Sequence, residues 1–208
     1  MRKKIAFIMI LSLMVMTFCA CGSQSPTDVA DTFLAAIKAQ DSDAIKSVYA
    51  DGALDLLGET EEESEEVLGD DFSDELEQEL INKILEFDYE ISNEQINGDT
   101  ATVDVAISTY DFGSAMAEFA SEYITQGLVL AFSGASDDEM NELANTLFEE
   151  QLEKAEKDYT GTTTLSLTKT DDGWTVDEID EGGVFVDVLF GGLINSLENL
   201  EDSFSEDE

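Results

Sequence analysis

Cys19 and Cys21 stand two positions apart at the end of an apolar run, and they are the only thiols in 208 residues. A thiol is the strongest nucleophile this chain owns, able to take up an acyl or alkyl group and keep it. Every other abundant reactive group is a carboxylate. There are 49 Asp and Glu, 9 Lys and Arg and no His, for a net charge of −40. Without imidazole, the Ser-His-Asp and Cys-His nucleophile pairs and histidine-ligated zinc or haem are ruled out. Nine scattered basic side chains cannot supply the clustered Lys and Arg that a phosphate backbone requires, so nucleic acid is excluded as a partner. Carboxylate acid–base chemistry stays open, but 49 candidates make spacing uninformative, and a general base must also be buried or otherwise shifted. Asp104 and Asp111 lie on or beside the expected central strand and are the first to inspect; the plainer reading is that both face solvent. No calcium loop, G-x-G-x-x-G or P-loop occurs, so no metal or cofactor is assigned. A C-x-C metal site has no further Cys or His to complete it.

The thiols sit in a recognisable context. Arg2, Lys3 and Lys4 precede an uncharged, mostly apolar run from Ile5 to Phe18, which is too short for the ~20 residues of a membrane-spanning helix. The run ends Phe18-Cys19-Ala20-Cys21-Gly22, which resembles the lipobox of bacterial lipoproteins. There a small residue precedes a cysteine that is diacylated and becomes the new N-terminus; Phe18 stands where Leu is usual. The resemblance implies a signal peptide over residues 1–20, lipidation of Cys21, a tether over 21–24, and a protein held on the extracytoplasmic face of the cell membrane. Each buried acyl CH₂ contributes ~0.8 kcal/mol, so two chains hold where one does not. The competing reading is a plain secretory signal with incidental cysteines. With Cys19 removed and Cys21 capped, no disulfide remains, and stability must come from packing.

Those elements follow from periodicity. Ser25-Pro26-Thr27-Asp28 opens a helix: Ser25 suits the N-cap, Pro26 the first turn, and Val29, Phe33 and Ile37 lie on one face. Ser42 is the expected N-cap of a second helix carrying Ile45, Val48 and Tyr49. Residues 59–74 hold nine carboxylates and no basic residue, which predicts a solvated acidic loop. A third helix follows Ser73, with Leu76, Leu80 and Ile84 in register. The period then drops to two over residues 87–110, with Asn97-Gly98 as the hairpin turn. Helical periodicity returns from Ser114 to Lys157, broken at Gly134-Ala135 and restarted by the capping box Ser136 to Glu139. A second hairpin turns at Asp172-Gly173 and carries Trp174, Val176 and Ile179 on its return. A last helix aligns Phe185, Leu189, Leu193, Leu197 and Leu200, and residues 201–208 form an acidic tail. The Gly191-Gly192 pair within that helix allows close approach to another element.

The opening from Ser25 through Asp41 resembles the first helix of small lipoproteins, many of them Gram-positive, with a nuclear-transport-factor-2-like (cystatin-like) domain. Asp172-Gly173-Trp174-Thr175-Val176 resembles the closing hairpin of that family. The resemblance implies one α+β domain over residues 25–200. In it, N-terminal helices pack on a curved antiparallel sheet of two hairpins. The helical insertion at 114–157 departs from the plain fold, and a helix closes the chain. Acid–base residues of the superfamily's enzymes match nothing here by motif, so no catalytic residue transfers.

The expected function is therefore that of a membrane-anchored lipoprotein with a non-enzymatic binding domain. Its ligand would be a small molecule, a peptide or an envelope protein, with weak cation binding through the carboxylates. Two alternatives stand beside it: an acidic scaffold recruiting cations or a basic partner, and an extracytoplasmic carboxylate enzyme. Trp174 and Tyr110 could line a pocket, though core and strand-end roles are the plainer expectation. The stripe Met116, Phe119 and Tyr123 is expected in the core. Leu128 to Phe132 could meet lipid, but a buried helix face is the plainer expectation.

Overall fold

Helix α1 (Pro26–Ala39) starts where Ser25 and Asp28 satisfy each other's backbone donors. The Ser25 hydroxyl accepts from Asp28 N at 3.1 Å, and the Asp28 carboxylate accepts from Ser25 N at 3.0 Å. A cap of this kind contributes about 1 kcal/mol. The computed structural model describes residues 24–50, 72–180 and 182–205. Cys21, the segment 1–20, most of the acidic segment 59–74 and residues 206–208 lie outside the described residues.

Helix α2 (Ser42–Val48) is capped by Asp41, whose side chain accepts from Ala44 N at 3.0 Å. Ser42, the expected cap, is instead the first helical residue. Both types cap well, and Asp41 is the one left outside helical geometry. Helix α3 (Asp74–Leu85) begins after the N-cap Ser73, and its Leu76, Leu80 and Ile84 are buried as their spacing predicts.

Four strands form one antiparallel sheet in chain order: β1 (Asp88–Asn97), β2 (Thr100–Thr109), β3 (Tyr159–Thr170) and β4 (Gly173–Val176). The β1–β2 turn is centred one residue later than expected. Asn97 pairs with Thr100, so the loop is Gly98-Asp99, with positive φ at Gly98 (68°) and not at Asn97. That is the pattern of a turn needing glycine at its first central position. The second hairpin likewise turns on Asp171-Asp172, with Gly173 paired to Thr170. A register shift between Ser92 and Gln95, with Asn93 at φ 53°, kinks β1.

Between the hairpins stand helices α4 (Phe112–Phe132) and α5 (Asp137–Lys154), and the chain ends in α6 (Val184–Leu189) and α7 (Leu193–Ser205). The fold is α+β, with helices before the sheet, a helical pair between its hairpins and helices after it. The expected final helix is two helices. Gly191 and Gly192, at φ 57° and 79°, break it. A Cβ on Gly191 would lie 1.9 Å from the Tyr110 carbonyl oxygen, so the expected close approach is real and is made to the end of β2. Helix α7 reaches Ser205, through the first residues of the expected tail.

Alternation sorts the sheet into two faces. Ala101, Val103, Val105, Ile107 and Thr109 of β2 are buried with Thr163, Leu165 and Leu167 of β3. Against them lie Val29, Ala30, Phe33, Leu34 and Ile37 of α1. Phe33 is fully buried, stacked on Tyr49 at 5.4 Å and tilted against Phe185 at 6.2 Å. It therefore joins α1, the end of α2 and α6. Phe72, Phe119 and Phe148 form a second aromatic cluster that ties α4 and α5 to the chain preceding α3.

Candidate functional site

The opposite face of the sheet is open. Alternation that buries Val105 and Ile107 turns Asp104, Ala106 and Ser108 outward on β2, and Thr160, Thr162 and Thr164 outward on β3. Of these, Ala106 and the three threonines are exposed. The register aligns them with β1 in rows: Asp88, Ser108 and Thr160; Glu90, Ala106 and Thr162; Ser92, Asp104 and Thr164. Neighbours across strands are about 4.8 Å apart and successive rows about 6.8 Å apart. A depression of about 420 Å³ lies over the first two rows, lined by Asp88, Glu90, Ala106, Ser108, Thr160 and Thr162 together with the backbone between them.

Its charged groups are all carboxylates. Two carboxylates and three hydroxyls share the lining with the methyl groups of Ala106, Thr160 and Thr162, and the lining holds no Lys or Arg. Lys157 stands at the rim, its ammonium 2.6 Å from Asp88 Oδ2. That hydrogen bond, with the charge behind it, holds the Asp88 carboxyl below the usual range. Asp104, in the third row, accepts from Asn93 Nδ2 and Thr164 Oγ1, both at 2.9 Å, and these bonds lower it too. Lys38 Nζ also lies 3.8 Å from Asp88 Oδ1, so that carboxylate is paired from the rim, and Glu90 is the carboxylate of the lining that suits a ligand bearing N–H donors or positive charge. A second depression, about 580 Å³, lies between the hairpin turns and is lined by Asp99, Lys169, Thr170 and Asp171.

The structure separates the residues singled out from sequence. Asp104 faces solvent on the open sheet face. Asp111 is the N-cap of α4, accepting from Ser114 N at 2.9 Å and Ser114 Oγ at 2.7 Å, so its carboxylate is spent on the helix. Among the described residues the one buried carboxylate is Asp187, 6% exposed. It accepts from the Asn195 backbone at 2.9 Å and from Asn195 Nδ2, securing the start of α7, and it faces neither depression. Trp174 is in the core with Lys169 over its ring at 5.8 Å. Tyr110 donates to Glu86 at 2.9 Å beneath Lys83. Met116 and Phe119 pack on the core. Leu128, Val129 and Phe132 are not a buried face: they are 56%, 71% and 90% exposed, because α5 takes the other side of α4, where Gly127 meets Met140. Cys21 lies outside the described residues. Among those residues no cluster of three or more His, Cys, Asp or Glu is placed to hold a metal ion.

Sequence reasoning missed Asp88, Glu90, Ser108, Thr160 and Thr162 as a group. The alternation of Thr160, Thr162 and Thr164 was the available signal, but it became a site only when the register aligned it, across β2, with Asp88 and Glu90 of β1.

Behind the sheet, Tyr89 turns toward α1 and donates to Asp31 Oδ1 at 2.9 Å. Burial, then this bond and the Asp31 charge, push the phenol up to about 12, against an ordinary 10. The folded state therefore keeps a proton that the unfolded chain releases. Its contribution is complete below pH 10 and is lost as pH rises from 10 toward 12. Urea midpoints measured across that window should fall less steeply for Tyr89→Phe than for the wild type; equal slopes would refute the assignment.

The frame is thus an α+β domain with one face of its antiparallel sheet packed and the other, among the described residues, uncovered. No protein-family model matches the chain, and comparison with curated proteins finds no match. Among solved structures it is similar to the crystal structure of "a putative lipoprotein (ycdA) from Bacillus subtilis", with 16% identity and a TM-score of 0.40. The match covers 73% of this chain and 44% of the other, so the chain spans less than half the length of that protein.

Proposed function

We propose that this chain is a lipid-anchored extracytoplasmic lipoprotein, and that its α+β domain is a non-enzymatic binding module whose open sheet face takes an amine- or guanidinium-bearing ligand. The observation that carries the binding reading is the depression in which the carboxylates of Asp88 and Glu90 stand in rows with the hydroxyls of Ser108, Thr160 and Thr162, with no Lys or Arg in the lining. The anchor reading rests on Cys21 in its lipobox-like context. Between Cys21 and the cap Ser25 stand only Gly22, Ser23 and Gln24, a reach of about 10 Å. Among the described residues no helix is long and apolar enough to cross a membrane. The nuclear-transport-factor-2-like reading of the fold is supported by N-terminal helices α1, α2 and α3 leading to a four-stranded antiparallel sheet, with α1 packed on its covered face; the α4–α5 insertion is its departure.

Two measurements test the two halves separately. Cys21→Ser should move the protein from the membrane fraction to the soluble extracytoplasmic fraction and abolish any lipid mass on the chain. A variant that stays membrane-bound would end the anchor reading. For the site, a lysine tetrapeptide titrated against the full chain should shift the amides of Ala106, Thr160 and Thr162 first, and Glu90→Arg should remove those shifts. Shifts spread evenly over the acidic surface would defeat the binding reading.

A further inference from the structure

The apolar stripe on α4 is the strongest feature left unexplained by the sheet-face site. Ile124, Leu128 and Phe132 follow one another at four-residue intervals on one side of the helix, with Val129 beside them; their exposures are 43%, 56%, 90% and 71%. Side chains of this size are ordinarily the ones a fold covers. In a chain that is 28% charged, no charged residue occurs between Glu122 and Asp137. The α4–α5 pair is also well made: Gly127 packs against Met140, the Ser136–Glu139 capping box starts α5, and Phe119 packs edge-on to Phe148. The stripe is thus the uncovered side of a packed helix pair.

Its border identifies its occupant. Asp137, Asp138 and Glu139 form the first turn of α5, directly beyond the stripe. At 100° per residue, Glu118 and Glu122 fall on the same side of α4 as Val129, with Lys154 of α5 near enough to feel their charge, so Asp137 and Asp138 are the border's unneutralised carboxylates. An anionic bilayer approached end-on by this hairpin would meet the three α5 carboxylates first, which disfavours lipid. A second copy would bring a chain of charge −40 against another of the same charge, which disfavours self-association. An apolar strip edged with carboxylates is complementary to a helix with one apolar face and Lys or Arg along its flanks. We infer that the outward face of α4, Ile124–Leu128–Val129–Phe132, docks a cationic amphipathic helix of a partner protein. This surface is distinct from the open sheet face and does not depend on the reading proposed for it.

The test uses the full chain on a sensor surface and two synthetic peptides of identical leucine and lysine composition. One carries its leucines on a single helix face; the other has them spread around the helix. The first should bind and the second should bind at least about tenfold more weakly. The variant Leu128→Asp with Phe132→Asp adds two negative charges, so bare charge attraction would tighten binding. The proposal requires the reverse, a loss of about tenfold or more for the amphipathic peptide. Val129→Ser with Phe132→Ser, which leaves the charge unchanged, should weaken binding in the same direction. Both variants alter exposed positions, and circular dichroism checks that their helices persist. Unchanged or tighter binding by either variant would overturn the proposal, as would equal binding of the two peptides. It would also fall if sedimentation showed a wild-type dimer that the substitutions dissolve, making a second copy the occupant.

Discussion

Gly191→Ala is expected to cost about 4 kcal/mol of folding stability, lowering the melting temperature by roughly 10 °C. Two effects add. At φ 57° an alanine is strained by about 1 kcal/mol. The added Cβ would also sit 1.9 Å from the Tyr110 carbonyl oxygen and 3.1 Å from Phe112 N, both backbone atoms that no rotamer change can move. Relief requires lifting the α6–α7 junction off the end of β2. That would break the Gly113 N–H bond to the Gly191 carbonyl (3.0 Å) and the Ser196 hydroxyl bond to the Gly113 carbonyl (2.9 Å). Gly98 supplies the control. It has a similar φ, 68°, and nothing within 4 Å of its would-be Cβ. Gly98→Ala should cost only about 1 kcal/mol. Urea unfolding of both variants measures the difference; equal losses would mean that the close approach contributes nothing.

Phe33→Ala should be comparably damaging, at about 3–5 kcal/mol. The ring is fully buried and touches elements far apart in sequence, Tyr49 after α2 and Phe185 in α6. Its removal opens a cavity between α1 and the sheet that backbone-fixed neighbours cannot close. Phe33→Leu, which keeps most of the volume, should cost about 1–2 kcal/mol. A loss below 1 kcal/mol for the alanine variant, read from the same denaturation curves, would show that this cluster is not the keystone of the core.

Much of the architecture was legible because it rests on local chemistry. Caps at Ser25, Ser73 and Ser136 are set by one side chain reaching a backbone donor three residues on. The faces of α1 and α3 follow from spacing. The misreadings were of two kinds. Asp41 displaced Ser42 as a cap, and each hairpin loop moved one residue from its expected place, because neighbouring residues of similar turn chemistry compete and the strand register decides between them. The last helix broke at Gly191-Gly192 because tertiary contact with β2 demands positive φ there, which helical periodicity does not reveal.

What this sequence determines by itself is short-range: its acidity, its lack of histidine, the thiol at Cys21, its caps and its α+β order, all read within a few residues. Tertiary structure alone decided the rest. Pairing β1 to β2 and β2 to β3 put Asp88 and Glu90 in the same rows as Thr160 and Thr162, some seventy residues away. Packing α5 on one side of α4 left Phe132 in water. Periodicity states that a residue shares a face with its neighbours, but which face is covered depends on what the chain brings against it from a distance.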